Sequence, residues 1–170
     1  MRTVGAVDSP APSAAGKRQD IEWNEYVTMT TDGNPSLGAE DASERVAYRY
    51  SIDEAAKSLG IRLRSVTPGA CEIELPAQPA MVNGEGLVHG GYTYLLADTC
   101  FAYTCEAAGR RSVTRQAEIV YVSPGREDSV LRATGTVRAA YGRNTIVDVA
   151  IRDADGVLIA EFRGHGVAVR

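Results

Sequence analysis

The stretch from Gly90 to Ala108 leaves this chain few ways to fold. Tyr94, Leu95, Leu96, Ala97, Phe101, Ala102, Tyr103 and Ala107 put apolar side chains on nearly every face of one long helix, and Gly109 followed by Arg110 and Arg111 suits its C-terminus. A helix that apolar has to be wrapped by something. The wrapping follows directly, because residues 112–123, 129–140, 144–152 and 157–169 read as long strands. Their links carry turn chemistry in Pro124-Gly125, Tyr141-Gly142 and Asp155-Gly156. Ahead of the helix, residues 61–66 and 71–75 alternate apolar and polar around Pro68-Gly69 and predict a hairpin. Before that, Ser51-Ile52-Asp53-Glu54 resembles a capping box that opens a short helix closed by Gly60. The sum is an α+β fold, an antiparallel sheet curled around one central helix.

With 170 residues, 44% of them hydrophobic, the chain suits one core of ordinary size. The first forty or so residues are rich in Ala, Pro, Ser, Gly, Asp and Thr without an apolar period. Such a segment does not offset the entropy of ordering. The expected division is therefore a disordered tail over 1–43 and a folded domain over 44–170. A net charge of -4 argues against wholesale attraction to nucleic acid or an anionic membrane, both of which call for a basic surface. No apolar run reaches the roughly 18 residues of a spanning helix, and Met1 to Asp20 lacks the apolar stretch of a secretory signal. The expected location is the cytoplasm. Cys71, Cys100 and Cys105 sit in apolar settings without a Cys-x-x-Cys spacing and read as small buried hydrophobes.

Two features carry chemistry. His89 stands directly before Gly90 and Gly91, where a loop of about a dozen residues from Gln78 meets the long helix. Backbone N–H groups at a helix start have no helical partner. Glycines let a ligand approach them closely, and the helix dipole favours developing negative charge there, which is what an oxyanion hole requires. A plain tight turn, with His89 as a cap, is the other reading of the same residues. The second feature is Asp98, the one ionisable residue between His89 and Glu106 apart from tyrosine and cysteine. Burying a carboxylate in mid-helix costs several kcal/mol unless it is paired, so a role as general base on water would account for it. A solvated or threonine-bonded Asp is the alternative. Asp98 lies eight residues beyond Gly90, about 12 Å along a helix axis. A base and an oxyanion donor both have to come within about 3 Å of the reacting atoms. If both act on one carbonyl, they belong to different copies of the helix and the site is shared in a dimer.

The run Asn83-Gly84-Glu85-Gly86-Leu87-Val88-His89-Gly90-Gly91-Tyr92-Thr93-Tyr94-Leu95-Leu96-Ala97-Asp98-Thr99, followed by Phe101-Ala102-Tyr103, resembles the signature of PaaI-type hotdog-fold thioesterases. The resemblance extends from about Ser51 to the C-terminus and takes in Tyr121-Val122-Ser123-Pro124-Gly125, Gly142-Arg143 and residues 157–164. It implies a hotdog fold assembled as homodimers, commonly dimers of dimers. It also implies hydrolysis of aryl- or short acyl-CoA thioesters, phenylacetyl-CoA among them, with a place in phenylacetate catabolism and CoA entering as part of the substrate rather than as a cofactor. Carried over by position, Gly90 N–H polarises the thioester carbonyl and Asp98 activates water or attacks directly. Thr99 matches a positioning hydroxyl, and Asn83 and His89 match the polar loop that shapes the site.

For substrate binding the expected residues are Gly91, Tyr92, Tyr94, Ser123, Pro124, Gly125 and Arg143. Tyr92, Tyr94 and Phe101 offer an aromatic wall, although aromatic residues at helical spacing commonly belong to the core. Arg143, Arg126 and the Arg110-Arg111 pair are the cations available for CoA phosphates. A hotdog hydratase or dehydratase, which also uses one His and one acid, and a non-catalytic acyl-CoA sensor are the competing readings. No Gly-x-Ser-x-Gly elbow is present, and two distant histidines with no cysteine pair give no metal-ligand set of plausible spacing.

Overall fold

In the computed structural model the described residues are 39–169, with side chains from residue 42. The expected tail lies outside them up to residue 38. Helix α1 (Ala39–Ser51) runs through the boundary drawn from composition at residue 43. A short α2 (Glu54–Ser58) follows, then β1 (Arg62–Thr67), β2 (Ala70–Pro76), a 3-10 turn (Pro79–Met81) and the long α3 (Gly90–Ala107). Strands β3 (Ser112–Tyr121), β4 (Val130–Tyr141), β5 (Asn144–Arg152) and β6 (Leu158–Ala168) complete one antiparallel sheet of order β1-β2-β4-β5-β6-β3.

The sheet buries its inner face on α3. Thr93, Leu96, Ala97, Cys100, Phe101 and Thr104 recur at helical spacing and are all buried. Ile73, Leu75, Leu131, Ala133, Val147, Val149 and Phe162 meet them from the strands. Close approach of helix and sheet depends on glycine at two points. A Cβ on Gly164 of β6 would run into the Phe101 ring, and one on Gly135 of β4 would strike Thr104.

The ends of the helices differ in part from expectation. Ser51 does not open a helix; it closes α1, its hydroxyl donating to Tyr48 O. The cap of α2 is Asp53, whose Oδ1 accepts from Ala56 N at 3.0 Å and whose Oδ2 accepts from the Tyr103 hydroxyl at 2.9 Å. A capping pattern shifted by two residues cannot be told apart locally; the tertiary bond to Tyr103 selects the later one. The C-terminus of α3 ends on Gly109 at φ +67°. Its last carbonyls, Glu106 O and Ala107 O, accept from the Arg45 guanidinium on α1 at 3.1 and 3.2 Å. No helix of the described chain is long and apolar enough to cross a membrane.

Candidate active site at the start of the long helix

His89 is the N-cap of α3, and its Nδ1 accepts from Gly91 N at 2.9 Å. That bond leaves Nε2 to carry the proton of the neutral ring. It also occupies the Gly91 N–H. The Gly90 N–H, one residue earlier, finds no acceptor among the described residues. It is the orphan donor that a helix start leaves behind.

Gly90 borders a cleft of about 310 Å³ whose walls include Asn83, Val88, Tyr121, Ser123, Gly125 and Ile159. Asn83 organises the loop at its mouth, since Oδ1 accepts from Glu85 N at 2.9 Å and from Leu87 N at 3.2 Å. With its oxygen so engaged, the side-chain NH2 is left as the donor. Ser123, Pro124 and Gly125 form the opposite wall, pinned where Val88 N donates to Gly125 O at 2.9 Å. Tyr121, at the end of β3, closes the side: its hydroxyl donates to Gly90 O at 3.0 Å. A Cβ at Gly90 would meet the Tyr121 ring at 3.1–3.2 Å, so glycine is what admits that ring.

Asp98 lies elsewhere. It is half-buried rather than enclosed, on a stripe of α3 with Tyr94, Leu95, Thr99 and Ala102 that the sheet leaves partly uncovered. Its Oδ1 accepts from Thr114 Oγ1 on β3 at 2.8 Å. Thr114 immediately precedes a bulge in the β3–β6 pairing, between Thr114 and Gln116. Within one chain the Thr114 hydroxyl, not that of Thr99, is the one recorded on the carboxylate. Tyr94, one turn before Asp98, has its phenol pushed up by burial, then by the Asp98 carboxylate and by Tyr121.

Other expected residues have other duties. Phe101 is wholly buried in the core and forms no wall of this cleft. Tyr92 is half-buried, its ring edge-on to His89 at 6.5 Å. Tyr94 stacks edge-on to Phe162 at 5.6 Å. Arg143 is not brought to the cleft: its guanidinium donates to Ala168 O at 2.7 Å, in the hairpin that also takes Arg110, through Thr145 and the Gly142 carbonyl. That hairpin sits at the other end of α3. Tyr121 and Thr114 are the site neighbours that sequence reading missed. Both reach α3 through strand pairing, for which local spacing carries no signal.

The architecture, a sheet curled round one helix with a cleft at the helix start, is that of a hotdog-fold protein. The signature of the family described as "Thioesterase superfamily" matches residues 85–160, a span holding Gly90, Asp98, Thr114 and the cleft wall from Tyr121 to Ile159. The chain is 34% identical over 115 residues to acyl-coenzyme A thioesterase PaaI of Escherichia coli strain K12, covering 68% of this chain and 82% of that one. It is 33% identical over 107 residues to human acyl-coenzyme A thioesterase 13, covering 61% and 76%. The solved structure of the E. coli PaaI protein from the phenylacetic acid degradation operon superposes with a TM-score of 0.76 at 30% identity, over 79% of this chain and 97% of that one. The chain belongs to the thioesterase superfamily, to its PaaI-type hotdog enzymes, and is a thioester hydrolase.

Proposed function

We propose that the protein hydrolyses acyl-CoA thioesters in a site completed by a second copy of the chain, Gly90 coming from one copy and Asp98 from the other. The observation that carries this reading is the separation of an orphan N–H at Gly90 from an oriented carboxylate at Asp98, about 12 Å apart on one rigid helix. Two features favour pairing of copies. Strand β3 is an open edge of the sheet, and the Asp98 stripe beside it keeps Tyr94 37% exposed. A dimer that covers both brings a second α3 to the first; a dimer of dimers is the expected full assembly.

In that arrangement the thioester carbonyl sits against Gly90 N–H, with the Asn83 amide nearby at the cleft mouth. Thr114 holds one oxygen of Asp98, and the other takes a proton from water as the water attacks the carbonyl carbon. The tetrahedral oxyanion rests on the helix N-terminus, then collapses with loss of the CoA thiolate, which leaves readily without acid help. No cofactor is called for, CoA being part of the substrate. A hydratase would need His89 and an acid to converge, and within the chain Asp98 stands more than two turns along α3 from His89, held by Thr114. Aryl and short acyl chains, phenylacetyl-CoA first, are the substrate class we assign, with a cytoplasmic role in phenylacetate breakdown. The support is the likeness to the E. coli enzyme.

Thiol release from phenylacetyl-, benzoyl- and short aliphatic acyl-CoAs, with wild type and Asp98→Asn side by side, tests the reading. Turnover that collapses in the variant supports it. Silence of the wild type across the panel sinks it.

A further inference from the structure

One peptide unit at the start of α3 is held from both ends. The Gly90–Gly91 peptide is a rigid plane whose carbonyl accepts from the Tyr121 hydroxyl at 3.0 Å and whose N–H donates to His89 Nδ1 at 2.9 Å. Just before it, His89 O accepts from Tyr92 N at 2.9 Å, and His89 N donates to Met81 O at 2.8 Å. In this frame the Gly90 N–H is the donor left without an acceptor among the described residues. Its direction follows the two torsions of Gly90, and a glycine restrains neither of them by itself. An alanine would narrow them, but a Cβ there meets the Tyr121 ring at 3.1–3.2 Å. The restraint therefore has to come from outside the residue.

Tyr121 is built to supply it. Its backbone is anchored, since Tyr121 pairs with Ala160 and the next two amides, Val122 N and Ser123 N, donate to Ile159 O at 2.8 and 3.2 Å. The side chain is 51% exposed, so it adds little to the core and packing alone does not account for it. The hydroxyl proton is committed to Gly90 O, which leaves none to give to a leaving group. The bulge in β3 lets this one strand reach both chemical groups of α3. Thr114 and Tyr121 are seven residues apart, an odd number, and in a regular strand they would face opposite sides of the sheet. Pairing skips from Thr114 opposite Gly166 to Gln116 opposite His165, so Arg115 is the extra residue and the phase of the strand changes there. Both side chains then meet α3, Thr114 at Asp98 and Tyr121 at Gly90.

We propose that Tyr121 is a positioning residue for thioester hydrolysis: from β3 its hydroxyl clamps the Gly90–Gly91 peptide against the His89 cap and so fixes the aim of the Gly90 N–H at the thioester oxyanion. This rests on the acyl-CoA reading above. An oxyanion donor helps only when aimed at the place where charge develops, so loss of the clamp acts on the transition state and spares substrate binding.

The test uses the full chain, with Tyr121→Phe, which keeps the ring and deletes the hydroxyl, and Tyr121→Leu, which loses both. On phenylacetyl-CoA, kcat should fall about tenfold in Tyr121→Phe and at least as far in Tyr121→Leu, with KM within about twofold of wild type. In an amide NMR spectrum the Gly90 signal should shift or broaden in Tyr121→Phe while the Asp98 and Thr114 signals stay in place. Thermal midpoint and sedimentation mass should match those of the wild type. A kcat equal to wild type in Tyr121→Phe overturns the clamp. So does a rise in KM at unchanged kcat, which would make the hydroxyl a substrate contact. A general loss of stability with amide shifts throughout the sheet, or a changed sedimentation mass, also overturns it, by making Tyr121 a packing or interface residue. If the wild type cleaves no acyl-CoA while the Gly90 amide responds to the lost hydroxyl, the hydrolase reading falls and the clamp on Gly90 stands.

Discussion

The Thr114 hydroxyl on β3 donates a 2.8 Å hydrogen bond to Asp98 Oδ1 on α3, fixing one oxygen of the carboxylate and leaving the other available. Thr114→Val keeps the shape and deletes the donor. We expect kcat to fall about tenfold with KM little changed, and Thr114→Ser to recover most of it. Asp98→Asn removes the base itself and should cost on the order of 10² to 10⁴ in turnover. Steady-state kinetics on one acyl-CoA separates the two, and equal losses in both threonine variants would contradict the positioning role.

A shared site makes a sharper prediction. Asp98→Asn and Gly90→Pro should each be inactive alone, the second because proline has no N–H. Unfolding and refolding the two together gives mixed dimers in which one of the two sites is intact. Activity should return to about a quarter of wild type on random pairing. If the mixture stays silent while circular dichroism and sizing show folded dimers, both groups act within one chain.

Phe101 lies over Gly164 and Gly166, with no room for a side chain at either. Gly164→Ala forces a methyl group into the ring and should destabilise by about 1–3 kcal/mol or more. Gly142→Ala meets no atom within 4 Å and tests only the cost of its φ of +51°. Urea midpoints for the two variants check the contrast, the first expected to fall further.

Acid should unfold the sheet in part through Asp148. Its carboxyl is held below the ordinary range, chiefly by the Arg163 hydrogen bonds at 2.6 and 2.9 Å. A carboxylate with a depressed folded value stabilises above its unfolded pKa near 3.9, and that contribution is lost as pH falls through the folded value. For a pair at the surface it is worth at most about 1 kcal/mol. Asp148→Asn should therefore lower stability at pH 7 and narrow the gap to wild type near pH 3. A gap that is constant with pH would assign the effect to packing instead.

The three thiols should be inert. Burial pushes Cys71 and Cys105 up to about 12, and Cys100 is raised well above its ordinary value by the same cause. A thiol-reactive dye at pH 8 should label none of them in the folded protein and all three in denaturant. Rapid labelling without denaturant would show that the core opens.

Much of this protein was legible from local pattern. The apolar run from Gly90 to Ala107 demanded a helix with a wrapper, and the fixed rise of a helix set the distance between Gly90 and Asp98. Turn chemistry is local in the same way, and Pro124-Gly125 marked the link between β3 and β4. What only the tertiary structure decided depends on register. Pairing of β3 and its bulge brings Thr114 to Asp98, and Tyr121 to Gly90. A shift of one residue in register would turn each of those side chains to the opposite face. Helix spacing is set by a short stretch of backbone, whereas strand register is settled by the whole buried face at once.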